Sequence, residues 1–566
     1  MRSINTDFVP ADLDASTWEA IEPFFVRLME RSIHCGNCLR KLLLDRSELA
    51  ATIDEKRANL YIEKTRRTDD ADVKQAYLHF VENVEPKIRQ ATFDLAKRII
   101  ENEHVGSLDE REFGVLLRAM RAEVELFRAE NIPLQTRLTT LDAEYDEISG
   151  AMTVDFDGAE RTMPQMARYL EETDRDVRER AWRGMSERRI ADADRIDELF
   201  DRMIELRHTV ARNAGFENYR DFQHRNLMRF DYTPADCETF QKSVEQVCVP
   251  FLKRLHEERR DRLGVDRLRP WDVKVDPLGR TPLRPFESET ELVEGSSTAF
   301  HSMDEDLGSL FDSMREGDCL DLASRKGKAP GGYQYQRQRS GRPFIFMNAA
   351  GMHRDLQTMI HEAGHAFHSL LSVHHGLVEY RESPIEFAEV ASMGMEMLAM
   401  PRLDTFYEAG DADRARRDHL EDVVSMLPWI AQIDAFQHWL YTHPDHSRQE
   451  RTGAWLELQG RFGGIVDWSG LESFQSKLWQ RQGHLFGVPF YYIEYGIAQL
   501  GALQLWQRSL IDEASALDGY KAALALGGSR PLPELFEAAG LRFDFGPEMM
   551  GSLVEGVTAT LETLPA

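Results

Sequence analysis

His361-Glu362-Ala363-Gly364-His365 is the stretch of this chain best equipped for chemistry. Its H-E-x-x-H pattern lies inside a helix-patterned segment, 356–371. Residues four apart stack on one helix face, so His361 and His365 can share one tetrahedral zinc ion. Glu362 sits a step around the helix, where a carboxylate can take a proton from water on that ion. Two imidazoles leave zinc short of a third protein ligand. Catalytic sites of this kind add a carboxylate and keep the fourth position open. The next helical segment, 383–401, offers Glu386, Glu389 and Glu396. Its apolar residues Phe387, Val390, Ala391 and Met393 mark it as buried, and a buried carboxylate needs a partner such as a metal.

The elements that must position these groups are partly legible. Pro343–Asn348 is a short apolar run that reads as a strand feeding the motif helix. Between His365 and Glu389 there is room for the motif helix to end near Gly376 and a second helix to return antiparallel. Gly364 costs about 1 kcal/mol relative to alanine in a helix, which predicts another backbone or side chain packed close against it. His353, His361, His365, His368, His374 and His375 crowd into this region, a concentration that suits a polar, metal-lined cleft.

The order HEAGHAFH, a gap, then FAEVASMGME resembles the oligoendopeptidase F branch of the thimet oligopeptidase family of zinc metallopeptidases. That resemblance implies Glu389 as the third zinc ligand in preference to Glu386. It also implies a role for the block 484–495, because relatives hold a histidine and tyrosines from such a region over the zinc. His484, Tyr491 and Tyr495 are the matching residues, with Tyr492 next. Phenol hydroxyls beside a metal can stabilise the oxyanion of peptide hydrolysis, and helical spacing would put Tyr491 and Tyr495 on one face. Asp355 and Glu396 are candidate acceptors for the ligand imidazoles' second N–H groups.

The implied fold is mainly α, a two-lobed helical ellipsoid around a deep substrate channel with a small β element beside the metal helix. The expected division is an N-terminal helical lobe over 1–165, ending in a β-hairpin, and a catalytic domain over 166–566. The resemblance further implies that the strand Phe344–Asn348 offers its edge to the peptide backbone. Gly331-Gly332-Tyr333 is the corresponding candidate hinge on the substrate side.

Composition narrows the partners. Lys and Arg number 69 against 97 acids, a net charge of −28. Such a surface repels a phosphate backbone, which excludes nucleic acid as an expected partner. Composition alone does not say whether the acids line an interior channel that would attract cationic peptides. No run approaches the roughly 18 to 20 apolar residues of a membrane span, and residues 1–16 lack an apolar leader core. Five cysteines argue against a disulfide framework, and Cys35-Gly36-Asn37-Cys38 is a lone pair without a second. The expected compartment is the cytoplasm.

Along the chain, 18–44, 71–102, 110–130, 164–185, 194–214, 233–261 and 414–441 read as amphipathic helices. Leu138–Leu141 and Met152–Phe156, parted by Ser149-Gly150, read as a hairpin, with a further turn at Asp157-Gly158. Residues 264–286, rich in Pro and Gly, read as irregular.

Together these features predict a zinc-dependent endopeptidase with one Zn2+ per chain. It would cut internal bonds of short, unstructured oligopeptides by Glu362-assisted attack of zinc-bound water. The first alternative is a dipeptide-releasing exopeptidase of the same fold, which needs a cation such as Arg354 or Arg381 to hold a terminal carboxylate. The second is an inactive peptide-binding protein.

Overall fold

The computed structural model describes residues 8–329 and 331–565. The reading of 1–16 as free of a leader therefore falls partly outside the described residues, as does Pro330 beside the glycine loop. Helices dominate, and no described helix is long and apolar enough to cross a membrane. Most expected helices are present, including Glu110–Leu126, Ala193–Asn213, Pro234–Leu263 and Ala409–Thr442. Thr233 caps one of them and Pro234 opens it, with the Thr233 hydroxyl and the Asp236 carboxylate forming a reciprocal cap.

Three segments depart from the sequence reading. The single helix expected over 18–44 is two, Trp18–Glu30 and Gly36–Arg66, because the chain extends at Arg31 and Cys35 caps the second helix. The helix expected over 164–185 breaks before Asp174, whose carboxylate caps a new helix, Arg175–Ala191. Leu138–Leu141 is not a strand but lies inside the helix Asn131–Gly150. Leu141, Tyr145 and Ile148 bury one helical face there, and the Thr139 and Thr140 hydroxyls bond back to the carbonyls of Gln135 and Thr136. The hairpin instead joins β1 (Thr153–Phe156) to β2 (Ala159–Thr162) through Asp157-Gly158, both at positive φ.

The second sheet contains β3 (Leu320–Ala323), β4 (Tyr333–Arg337) and β5 (Arg342–Ala349), in the order β3-β5-β4. β5 pairs parallel with β3 and antiparallel with β4. The apolar run 343–348 is thus a strand, but the central one. It has no free edge to offer a peptide, and the expectation that Phe344–Asn348 does so is overturned. β4 is an outer strand of this sheet. Phe344 and Phe346 pack towards Ile62 on the helix Gly36–Arg66, while Ile345 and Met347 join the main core with the motif helix.

That main core runs from Leu126 to Leu561 and gathers the helices that carry the candidate site. A second core spans Phe8 to Met120 and recruits Leu377 and Tyr380 from the link between the two metal-site helices. Tyr380 Oη accepts from the Leu116 N–H, which pins that link to the N-terminal helices.

Candidate active site

The motif helix spans His353–Ser372 and the glutamate helix Ile385–Ala399. Gly364 explains how closely they approach. A Cβ there would stand 2.5 Å from the Ala391 carbonyl oxygen and 2.7 Å from the Ser392 Cα, so only glycine permits this main-chain contact. Asp355 accepts the N–H groups of Ala350 and Met352. It therefore fastens the start of the motif helix and does not serve a ligand imidazole.

Across this contact, His361 Nε2 lies 3.5 Å and His365 Nε2 3.7 Å from Glu389 Oε2. Ligand atoms around a tetrahedral zinc are separated by about 3.4 Å, so this donor set fits such an ion. The His361 and His365 side chains keep 26% and 20% exposure. One other described set could hold a metal, Cys237, Asp434 and His438, but all three are buried. A catalytic ion must be reached by water and substrate, which favours the first set.

The surrounding charges tune each group differently. His361 Nδ1 donates to Glu396 Oε1 at 2.6 Å. Burial opposes a charge on His361, but Glu396, helped by Glu362 and Glu389, brings its pKa up to about 9. Burial and the neighbouring His361 hold His365 well below the usual histidine value, in the neutral form that can ligate a metal. Burial pushes the Glu362 carboxyl up to about 7, with Glu389 adding repulsion and His361 and the Gln334 N–H pulling the other way. Gln334 belongs to β4, so this outer strand reaches the base candidate with its main chain.

Glu386 is not part of the donor set. It accepts the Tyr232 hydroxyl at 2.6 Å and lies 3.7 Å from Arg229 Nε. The other crowded histidines also serve elsewhere. His353 Nδ1 bonds the Tyr407 hydroxyl, His375 Nε2 the Ala525 carbonyl, and His368 is buried.

His484, Tyr491 and Tyr495 come together as a cluster. The Tyr491 and Tyr495 rings are 5.5 Å apart, and each lies about 6 Å from the His484 ring. They do not share the expected helical face, since the helix Ile493–Ile511 begins after Tyr491. A left-handed kink at Phe490, φ 67°, brings Tyr491 round instead. Gln437 Oε1 accepts the Phe490 N–H, and Arg229 donates to the Phe490 carbonyl. Arg229 also bonds Glu494 at 2.8 Å, so one buried guanidinium links the kink, the tyrosine helix and Glu386. Sequence reasoning missed Arg229, Tyr232 and Gln437, because their partners lie far along the chain.

Both hydroxyls remain protonated donors. Burial raises Tyr491 far up and Tyr495 to about 12, and both feel the Glu389 charge. Burial keeps His484 neutral, and Gln482 Nε2 donates to its Nδ1 at 2.7 Å, leaving Nε2 to carry the proton. Near the other end of the site, Asn348 Nδ2 ties the carbonyls of Ala329 and Gly331, and Tyr333 bonds Thr65. Those anchors argue against a freely swinging hinge at Gly331-Gly332-Tyr333.

Residues 168–553, which include the donor set and the tyrosine cluster, match peptidase family M3. The chain belongs to this family. It is accordingly a metallopeptidase. Among M3-like relatives, the oligoendopeptidase F homolog of Borreliella burgdorferi is 22% identical over 494 residues, covering 84% of this chain and 77% of that protein. Oligopeptidase PepF of Bacillus subtilis is 23% identical over 304 residues, 52% of this chain and 44% of that protein. The solved structure of Pz peptidase A with an inhibitor superposes with a TM-score of 0.89 at 28% identity, covering 98% of this chain and 99% of that one. The mainly helical M3 architecture expected from the sequence is thus the one observed.

Proposed function

We propose that the protein is a zinc-dependent endopeptidase that hydrolyses internal bonds of short oligopeptides. The observation that carries this reading is the convergence of His361, His365 and Glu389 on one point with Glu362 beside them. The relatives' names, oligoendopeptidase and oligopeptidase, support the substrate class.

His361, His365 and Glu389 would hold the ion, and Glu396 would fix the His361 tautomer. When bound, zinc would act as a Lewis acid that polarises the scissile carbonyl and acidifies adjacent water. Glu362 takes the proton of the attacking water and delivers it to the leaving amine, a double task suited to a carboxyl near neutrality. Tyr491 and Tyr495 donate hydroxyl protons to the carbonyl oxygen as negative charge develops there. His484, neutral and protonated on Nε2, offers a further donor to the substrate. β4, an outer strand of its sheet, takes over the strand-pairing role expected of β5, adding the substrate as another strand.

Two adjoining cavities of about 780 and 430 Å³ support a channel between an N-terminal lobe and the catalytic part. The exopeptidase alternative finds less support. Arg381 is buried and donates to the carbonyls of His375 and Gln338, and Arg354 is largely exposed.

The test uses internally quenched peptides with both ends blocked, roughly 5 to 20 residues long, beside native and unfolded casein. Chelator-sensitive, zinc-restorable cleavage of the peptides but not of casein is expected. Cleavage restricted to peptides with a free end would overturn the endopeptidase reading, and rapid digestion of casein the channel.

A further inference from the structure

The larger cavity carries a charge imbalance that the catalytic chemistry does not use. Asp54, Glu85, Glu123, Glu379 and Glu382 line it, together with Arg46, Arg57 and, at an exposed position, Arg89. Arg57 is shared between Asp54 and Glu85, and Arg46 is engaged by Glu379. Five carboxylates thus line the cavity with three guanidiniums, of which Arg89 is exposed. Among the described residues the Glu382 carboxylate has the Gln338 amide as its one direct partner, with Gln338 Nε2 donating to its Oε1 at 2.8 Å.

A second observation points the same way. Gln338 is 3% exposed and lines this cavity, yet its Oε1 has no hydrogen-bond partner among the described residues. The bond from Nε2 to Glu382 fixes the amide, so the orphan is an acceptor set beside carboxylates. Acceptors that outnumber the donors beside them are completed by a group that brings several N–H bonds and a positive charge, an ammonium or a guanidinium. The carboxyls record the same imbalance. Partial burial, with repulsion from Glu382 and Glu379 against relief from Arg57, raises Asp54 to about 6. Burial and Glu379 likewise push Glu123 and Glu382 upward.

This cavity leads towards the catalytic groups through the smaller one. The smaller cavity, lined by Tyr491 and Glu386, shares Arg46, Glu123, Met228, Glu379 and Glu382 with it. Gln334 touches Glu362, and Gln338 lies four residues further along the same stretch, about 13 Å at the rise of an extended chain.

We infer that the cavity walled by Asp54, Gln338 and Glu382 selects a cationic group of the substrate, a lysine or arginine carried about four residues from the scissile bond. The inference rests on the peptidase reading above and adds the class of peptide preferred. A free amino terminus is the same chemistry from a second source.

The experiment walks lysine, norleucine and glutamate through each position of an end-blocked quenched peptide, using the full-length zinc-loaded protein. At one position kcat/KM should favour lysine over norleucine by roughly tenfold or more, with glutamate lowest, and salt should shrink the preference. In Asp54→Asn/Glu382→Gln the lysine-to-norleucine ratio should fall towards one, while Glu382→Asp keeps it. Pairs with free and acetylated amino ends separate a side-chain cation from a terminal one. A flat lysine scan in the parent protein overturns the proposal, as does a preference that survives the double variant. Should that variant not fold, the parent scan decides alone. Should no peptide be cut, the peptidase reading fails, and anisotropy of fluorescent lysine and norleucine peptides on the parent protein decides the cavity. Equal affinities would then overturn it.

Discussion

His361 Nδ1 and Glu396 Oε1 are 2.6 Å apart, and that bond leaves His361 Nε2 as the nitrogen turned to Glu389. The same bond makes His361 a strong base, with its pKa up to about 9 through Glu396 despite burial. A zinc ion must displace that proton. Below about pH 9, therefore, zinc affinity should rise about tenfold per pH unit, with one proton released per ion bound. Competition with a chromophoric chelator at several pH values measures the slope, and a flat profile would contradict the assignment. Glu396→Ala should weaken zinc binding by about 10- to 100-fold.

Glu362→Gln should leave zinc in place and lower turnover at least about a hundredfold, since an amide cannot accept the water's proton. Metal content and kcat on the same preparation decide it. Near-normal turnover in a folded, metal-replete variant would remove Glu362 from its role.

The two neighbouring carboxylates should fail differently. Glu389→Ala should lower zinc occupancy, because it deletes a donor. Glu386→Ala should leave zinc bound but destabilise the fold by about 2 kcal/mol, since the buried Tyr232 hydroxyl loses its partner. Metal analysis and chemical denaturation distinguish the two, and the reverse ranking would sink the assignment.

Tyr491→Phe and Tyr495→Phe should each lower kcat far more than they raise KM, because an oxyanion donor strengthens only as charge develops. Loss of such a donor costs about 3 kcal/mol of barrier. His484→Ala should have a smaller effect on rate and some on substrate affinity. Tyrosine variants that melt early yet turn over normally would reduce the cluster to packing.

Asp321 offers a stability test away from the metal. Burial works against its charge, but Arg325, Lys328 and Arg66 outweigh burial and hold the carboxyl well below its ordinary range. A depressed carboxyl contributes stability fully above its unfolded value, about 3.9, and loses it as pH falls towards the folded value. Lys328 Nζ, fully buried 2.8 Å from Asp321, would be left without a counter-charge in Asp321→Asn. That variant should lose about 3 kcal/mol at neutral pH, with the deficit shrinking below about pH 4. Urea unfolding at both pH values reads it, and an equal deficit in acid would exclude the charge explanation.

What the sequence revealed of this site follows how local each relation is. His361 and His365 were legible because their geometry is one helical turn. Glu389 and Glu386 sit one turn apart on one buried helix, and spacing alone did not separate them. Tyr232 and Arg229, which engage Glu386, lie more than 150 residues away. The apolar strand 342–349 was legible, but its central place was not, because its neighbour Tyr333-Gln334-Tyr335-Gln336-Arg337 is half polar and sheet order is a non-local property. Thr139 and Thr140 suggested a strand, yet the burial of Leu141, Tyr145 and Ile148 on one face made that segment helical. The aromatic cluster was found for a partly wrong reason, since the backbone kink at Phe490, not helical periodicity, brings Tyr491 to Tyr495.

Gly364 has a consequence for how this centre tolerates change. The gap between the imidazoles and the Glu389 carboxylate is gauged where one helix backbone lies on another, without an intervening side chain. A gauge made of main chain has no rotamers to settle into and no methyl groups to lose. Substitutions around it can drift while the spacing of the three donors holds, so the tolerance of the whole neighbourhood is concentrated in the intolerance of one residue that contributes no atom to the chemistry.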